Sequence, residues 1–254
     1  MSWSLTALVR LSMKPCGSAD IPHPLLIQLS VLDTVAWTEG SGPVKNSRRY
    51  DSSARKRQAE QTQHAILNAA QRQFLESGYA ATTVRSIARD VGVSAETVYK
   101  AFGPKPALVR ALWIRGLAGR GTVPAPDRSD AFSDSSTDAV AVVRAWAAFI
   151  KELAPEGSPI VLLIRDAAVH DPEMAALLAE VEEQRRERMR HNAARLHRRG
   201  WLRPGLDLDQ TADILWTYSS PELYELLVIK SGWSVDRYAD FTGDATIAAL
   251  LAQD

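Results

Sequence analysis

Seven residues between positions 94 and 105 combine groups that could contact nucleic acid. A lysine can donate to guanine O6 and N7, a glutamate can accept from cytosine N4, and hydroxyls and cations bind phosphate. The residues are Ser94, Ala95, Glu96, Thr97, Tyr99, Lys100 and Lys105. The same side chains could also be merely solvated, Glu96 could repel phosphates, and Ala95 offers only a methyl group, so any base readout is expected to be sparse.

Two short helices joined by a tight turn must position these groups. Residues 83–102 read TVRSIARDVGVSAETVYKAF, in which Gly92 permits the positive φ of a sharp turn. Apolar residues fall where two crossed helices would bury them, namely Ile87, Ala88, Val91, Val93 and Val98. A purely structural helical hairpin would need the same apolar spacing, but not an outward face of small, polar and basic groups. The pattern favours a helix-turn-helix that presents its second helix to the DNA major groove.

The flanking segments extend this pattern on both sides. An upstream helical period ends at Gly78, and Thr82 or Thr83 offers an N-cap hydroxyl to the next helix. Downstream, the sequence 102–105 (FGPK) closes the second helix and opens another that contains Leu108. The sequence therefore predicts a helical DNA-binding module at residues 51–116.

About 60 residues, roughly 55–115, resemble the N-terminal domain of TetR/AcrR-family transcriptional regulators. The resemblance rests on Gly78-Tyr79, Thr82-Thr83-Val84-Arg85, Ile87-Ala88, Val93-Ser94, Thr97-Val98-Tyr99, Phe102, Lys105 and Leu108. It implies an all-α homodimer, with an N-terminal three-helix helix-turn-helix domain and a C-terminal helical domain for ligand binding and dimerisation. It also implies a repressor that a small molecule releases from a palindromic operator.

The resemblance also implies a role for individual residues. The helix at about 94–102, which Ser94 begins, would lie in the major groove, with base-edge contacts from Ala95, Glu96, Thr97 and Lys100. The phosphate contacts would come from Tyr99, Lys105, Thr82 and Thr83. A basic arm that includes Arg55, Lys56 and Arg57 could track phosphates, or could simply be solvated.

Formal net charge is zero, but the charges are sorted along the chain. Residues 45–120 carry 14 Lys and Arg against 5 Asp and Glu, a net of +9, whereas residues 121–254 carry 14 against 22, a net of −8. A basic N-terminal segment attracts phosphates, and the acidic remainder has no reason to contact DNA. This asymmetry is independent of the motif and agrees with it.

Composition also argues against several other classes. Cys16 is the single cysteine, so neither a disulfide framework nor a cysteine metal site is predicted. No apolar run is long enough to span a bilayer, and the N-terminus is a poor signal peptide. We expect a cytoplasmic protein without metal or cofactor.

The rest of the chain is predicted to form a second helical domain at 117–254. Residues 1–50 are interpreted as a disordered extension with a short helix at 24–37, either a flexible tail or an upstream stretch from a misassigned start codon. Residues 119–136 are predicted to be a mobile loop rich in Gly, Pro, Ser and Asp. Predicted helices begin at Thr137, at Ser158-Pro159 and at Asp171-Pro172, and the last of these ends near Gly200. Residues 182–190 (EEQRRERMR) read as a solvated, charge-paired face.

The last two helices, at about 208–231 and 235–252, are predicted to form the homodimer interface, with a kink near Ser219-Ser220 ahead of Pro221. A larger monomeric core is the alternative. The residues assigned to the interface are Leu215, Tyr218, Leu223, Leu226, Leu227, Tyr238, Phe241, Ile247, Leu250 and Leu251.

An effector pocket is predicted in the C-terminal domain, with a weak preference for an apolar ligand. Its candidate walls, each of which could equally be ordinary core, are Trp146, Phe149, Leu163, Met174, Leu178 and Trp216. Two rival functions remain. One is a dimeric DNA-binding protein with no effector. The other, an enzyme, is disfavoured because the sequence holds no phosphate-binding glycine loop, dinucleotide fingerprint or metal-ligand cluster.

Overall fold

The computed structural model describes residues 52–252, which fold into ten helices. The helices are α1 (Ser52–Ala81), α2 (Val84–Val91), α3 (Ala95–Phe102), α4 (Lys105–Ala118), α5 (Ala125–Ser135), α6 (Ala139–Ala168), α7 (Pro172–Arg198), α8 (Leu208–Tyr218), α9 (Pro221–Tyr224, continuing as a π-helical turn over Glu225–Lys230) and α10 (Val235–Leu250). The predicted extension at 1–50, with its possible helix at 24–37, lies outside the described residues. The all-α prediction is confirmed.

One apolar cluster joins the DNA-binding module to the rest of the protein. Phe74 of α1, Ile87 of α2 and Val98 of α3 are fully buried, and they share this cluster with residues of α4, α6 and α7. The run from Ile160 to Ile164, predicted to be central because it is apolar all round, lies in or beside it. Because interiors are close-packed, this continuity couples the position of the short helices to α6 and α7.

A second cluster lies farther along the chain. It joins Val142 and Val143 of α6, Leu196 of α7, Leu215 of α8 and Leu250 of α10. The long helices α6 and α7 thus contribute to both clusters, so they form the body against which the other helices pack.

The predicted mobile loop at 119–136 is wrong for its second half, which forms α5. Two arginines of α7 hold this helix through its acidic side chains. Arg188 donates to both carboxylate oxygens of Asp130 at 2.8 and 2.9 Å, and Arg195, which is 4% exposed, contacts Asp130 and Asp134 at 2.9–3.1 Å. The composition of this segment is typical of a loop, but long-range ion pairs and the burial of Ser133 stabilise it as a helix.

The predicted helix start at Ser158-Pro159 is also wrong. Helix α6 runs without a break through both Pro155 and Pro159, and it begins after Asp138 rather than at Thr137. The Asp138 carboxylate accepts from the N–H groups of Val140 and Ala141. A proline removes only one backbone donor, and burial on both sides of the two positions keeps the helix intact.

Helix α7 confirms its predicted start, because Asp171 caps it and Pro172 is its first residue. Its charged segment is not a solvated face throughout. Arg188 is half-buried and pairs with Asp130, and Arg185 lies over the Trp216 ring and donates to the Ser219 carbonyl. Burial lowers the pKa of Arg185, and the nearby glutamates, which raise it, only partly offset this effect. Pairing across helices, which local spacing does not reveal, decides which arginines turn inward.

The predicted helix at 208–231 is broken rather than kinked. Helix α8 ends at Tyr218, and Ser220 caps a new helix that Pro221 begins. Several residues assigned to the dimer interface are instead buried within the chain's own core, and these are Leu215, Tyr238, Leu250 and Leu251. Leu226 and Phe241 remain exposed, as does Ile229. The candidate dimer surface is therefore smaller than predicted.

Candidate nucleic-acid interface

Local capping builds the predicted helix-turn-helix. Thr83 begins α2 with a capping box, in which its hydroxyl accepts from the Ser86 N–H at 3.0 Å and the Ser86 hydroxyl accepts from the Thr83 N–H at 3.2 Å. Gly92 ends α2 in the left-handed region at φ 74°, and its N–H donates to carbonyls of the preceding turn. Ser94 begins α3 by accepting from the Thr97 N–H at 3.1 Å. These short-range signals fix the relative direction of α2 and α3.

Helix α3 buries one face and exposes the other. Val98 is fully buried among α1, α2 and α4, whereas Glu96, Thr97, Tyr99 and Lys100 are exposed. Tyr99 has 52% of its surface accessible, which is unusual for an aromatic residue. The exposed face therefore carries a carboxylate, a hydroxyl, a phenol and an ammonium group that the chain's own packing does not use.

Ser94 is exposed, as expected, whereas Ala95 is not. The Ser94 hydroxyl serves the helix start and lies 2.9 Å from the Thr97 hydroxyl. Ala95 is half-buried and packs against the first apolar cluster. Ala95 therefore positions α3 rather than extends its exposed polar face.

Thr82 and Lys105 point into the molecule. Thr82 is buried, and its hydroxyl donates to the carbonyls of Gln73 and Gly78 at 3.0 and 2.9 Å. The Lys105 ammonium donates to the carbonyls of Tyr79 and Thr82 at 2.9 and 3.3 Å and lies 3.9 Å from the centre of the Tyr79 ring. Burial lowers the pKa of Lys105, and Asp171 opposes that effect. These contacts fasten the α1–α2 junction to the start of α4.

Sequence reasoning gave no role to Arg85. Its side chain is exposed in the first turn of α2, beside the exposed Thr83. A hydroxyl and a guanidinium at a helix N-terminus form a suitable environment for an anion. A basic residue two positions after the N-cap was the available signal, and Arg85 does lie within the residues that carry the family resemblance.

Two polar contacts tie the module to α7. The Tyr79 hydroxyl donates to Asp171 at 2.9 Å, and Arg110 of α4 pairs with Glu180. Burial is the largest cause of a raised Tyr79 pKa, and the adjacent Asp171 carboxylate adds to it. Movement of α7 would therefore act on α1 and α4 directly.

The six candidate pocket walls lie in different surroundings. Met174, Leu163 and Leu178 belong to or pack on the first cluster, Trp146 belongs to the second, and Trp216 lies between Arg185 and Arg186. Phe149 lies under Arg128. The described structure has a cavity elsewhere, between α1, α4 and α6, with a volume of about 350 Å³. We call it the junction cleft. It is lined by His64, Asn68, Gln71, Arg115, Gly116, Gly119, Arg120, Glu152 and Glu156.

Within residues 52–252, no group of three or more His, Cys, Asp or Glu residues is placed to hold a metal ion. No helix in the same part of the chain is long and apolar enough to cross a membrane.

Comparison with known proteins agrees with this geometry. Residues 66–112 match the family model described as bacterial regulatory proteins, tetR family. The chain is 28% identical over 169 residues to the HTH-type transcriptional regulator YdeS of Bacillus subtilis strain 168, covering 66% of this chain and 80% of YdeS. It is 34% identical over 73 residues to YvkB of the same organism, covering 29% of this chain and 39% of YvkB.

Solved structures with the same fold include two repressors of multidrug efflux pumps. SmeT, from Stenotrophomonas maltophilia, in its triclosan complex has a TM-score of 0.60 at 21% identity, covering 76% of this chain and 92% of SmeT. NalD of Pseudomonas aeruginosa has a TM-score of 0.60 at 20% identity, covering 78% of this chain and all of NalD.

The capped helix-turn-helix on an all-helical body defines the class of helix-turn-helix DNA-binding transcriptional regulators. The family match over α1–α4 is more specific. Residues 66–112 form a DNA-binding domain of the kind described by the model for bacterial regulatory proteins, tetR family.

Proposed function

We propose that the protein is a dimeric repressor that binds a palindromic operator through α3 and is released by a small molecule. The observation that carries the proposal is the exposed polar face of α3, which has no role in the chain's own packing. Regulators of this family are not enzymes, and we assign no catalysis. A bacterial protein that binds chromosomal DNA would act in the cytoplasm.

The proposed DNA contacts revise the roles expected from the sequence. Glu96, Thr97 and Lys100 read base edges, while Tyr99 and Thr83 bind phosphates together with Arg85. The Thr83 hydroxyl accepts within the capping box, which leaves its O–H free to donate to a phosphate oxygen. Ser94, Ala95, Thr82 and Lys105 hold the module in shape rather than contact DNA. We propose the same two domains as expected from the sequence, residues 51–116 for DNA binding and residues 117–254 for effector binding and dimerisation.

Dimerisation would place two α3 helices on half-sites about one helical turn, roughly 34–36 Å, apart. The exposed apolar residues of α9, its π-helical continuation and α10 support an interface there. Leu226 and Ile229 are 54% and 55% exposed, and Phe241 stacks edge-on with Trp233 at 5.6 Å. Exposed apolar side chains that lie together are typical of an interface.

Two observations support release by a ligand. The similar structure of SmeT is a complex with triclosan, and NalD is a repressor of an efflux pump. In this chain, the Trp216 indole N–H is buried and has no acceptor among the described residues. A buried unsatisfied donor costs about 1–3 kcal/mol, which a ligand acceptor would recover.

A dimeric DNA-binding protein without an effector is the second candidate. The dispersal of the six pocket candidates over separate clusters favours it. A selection from random oligonucleotides, performed with and without cell metabolites, tests both candidates. Recovery of a palindromic sequence supports the first part of the proposal, and its loss on addition of a metabolite supports release. If purified dimer selects no sequence at low ionic strength, the proposed function is wrong.

A further inference from the structure

The junction cleft lies where the DNA-binding module meets the body of the protein. Asn68 and Gln71 come from α1, Arg115 from α4 and Glu156 from α6. Two residues without side chains, Gly116 and Gly119, help to form its wall. A Cβ at Gly116 would lie 3.2 Å from the Gly157 Cα, so glycine here lets α4 and α6 approach closely beside the cleft. A volume of about 350 Å³ is near the lower end of the range for small-molecule sites, so it suits a metabolite rather than a drug-sized ligand.

Two opposite charges in the cleft lack an ion pair. The Arg115 guanidinium donates to the amide oxygens of Asn68, at 2.8 Å, and Gln71. The Glu156 carboxylate accepts from the Gln71 amide nitrogen at 2.9 Å. Within residues 52–252, no carboxylate lies within 4.0 Å of Arg115, and no Lys, Arg or His nitrogen lies that close to Glu156. The two charged side chains are therefore hydrogen-bonded to neutral side-chain amides instead of to each other or to another ion.

The Gln71 amide connects the two charges in a specific order. Its carbonyl oxygen faces the cation and its NH₂ group faces the anion. A molecule that carries a carboxylate and an ammonium group on one carbon has the same order of acceptor and donor. Such a molecule would replace two hydrogen bonds that each have one charged partner with two contacts between opposite charges.

The environment of Arg115 suits this replacement. The side chain is half-buried, and burial lowers its pKa while the more distant Glu156 carboxylate raises it. Arginine keeps its charge under such conditions, and its planar fork matches a carboxylate. A partly desolvated arginine without a carboxylate gains more from a carboxylate ligand than a fully solvated one.

We propose that the junction cleft binds a free α-amino acid, with the carboxylate on Arg115 and the ammonium group on Glu156, in place of the Gln71 amide. Displacement of Gln71 would loosen α1 from α4 and α6 and so alter the orientation of α3. The binding stands on the cleft geometry alone, whereas this regulatory consequence rests on the proposed function.

Titration calorimetry on the full chain tests the proposal, with the twenty common L-amino acids as probes. For the strongest binder, the matching carboxylic acid without the amine and the matching amine without the carboxylate serve as single-charge controls. We expect both controls to bind about tenfold more weakly, because each can form only one of the two contacts between opposite charges. The proposal is overturned if no amino acid binds, or if a control binds as well as the amino acid.

Three variants locate the site. Glu156→Gln should weaken the binding by about tenfold or more, whereas Gln71→Ala, which removes the competing amide, should strengthen it. Glu183→Gln, on the exposed face of α7, is the matched control and should change nothing. Unchanged binding in Glu156→Gln would overturn the assignment. DNA binding measured in parallel separates the two proposals: DNA binding without amino-acid binding refutes this inference alone, and amino-acid binding without DNA binding refutes the proposed function alone.

Discussion

Replacing Lys105 with Met should damage stability and leave the salt dependence of DNA binding unchanged. The ammonium makes two hydrogen bonds to carbonyls and one contact with the Tyr79 ring. Hydrogen bonds from a charged group contribute about 1.5–3 kcal/mol when well buried. Lys105 is only half-buried, so we expect about 1 kcal/mol for each bond, or about 2 kcal/mol in total. For a domain of this size, that corresponds to a fall in Tm of about 4–8 °C.

Arg85→Met is the matched comparison, because Arg85 is exposed and its loss should leave Tm nearly unchanged. Each phosphate contact contributes about 0.9 to the slope of log K against log salt concentration, so a dimer that loses two should show a slope smaller by about 1.8. The assay is fluorescence anisotropy with operator DNA over a salt series, with Tm measured on the same samples. A Lys105→Met variant with unchanged Tm and a reduced slope would refute our structural role for Lys105. An unchanged slope in Arg85→Met would refute the phosphate contact.

Three further predictions concern the body of the protein. Asp130→Asn should destabilise the fold by about 1–3 kcal/mol, because it leaves the partly buried Arg188 without a carboxylate while Arg195 keeps Asp134. Asp127→Asn on the exposed side of α5 should not destabilise it; equal denaturant midpoints would contradict this. Burial raises the pKa of Tyr238 to about 12 from 10.0, so stability present below pH 10 should fall by up to about 3 kcal/mol as pH rises through 12. Denaturant titrations over this pH range should show that the Tyr238→Phe variant lacks this loss of stability. Leu226→Glu should shift the protein from dimer to monomer in sedimentation, while Val169→Glu, at a 73% exposed site, should not; a dimer in both variants would place the interface elsewhere.

Much of the DNA-binding module could be predicted because its signals are local. Thr83, Gly92 and Ser94 act on backbone groups within three or four residues of themselves, so their types and spacing are sufficient to place α2 and α3. The apolar spacing then requires Val98 to face inward and Tyr99 to face outward, as the structure has it.

The direction of Thr82 and Lys105 was not predictable in this way. The Thr82 hydroxyl contacts the Gln73 and Gly78 carbonyls beside the bend of α1 at Gly78. Lys105 reaches the Tyr79 carbonyl only because α1 ends and α4 begins side by side. A hydroxyl and an ammonium group suit a phosphate or a carbonyl equally well, so residue type alone does not decide between the two.

The sequence by itself determined the all-helical class, the helix-turn-helix and the separation of charge between its two halves. Tertiary structure alone decided that α5 is a helix, that α6 continues through Pro155 and Pro159, and that Arg195 is buried. The physical reason is the separation along the chain over which each interaction acts. Caps, turns and apolar periods act over a few residues, whereas the pairing of Arg195 with Asp134 spans 61 residues and exists only once α5 packs on α7.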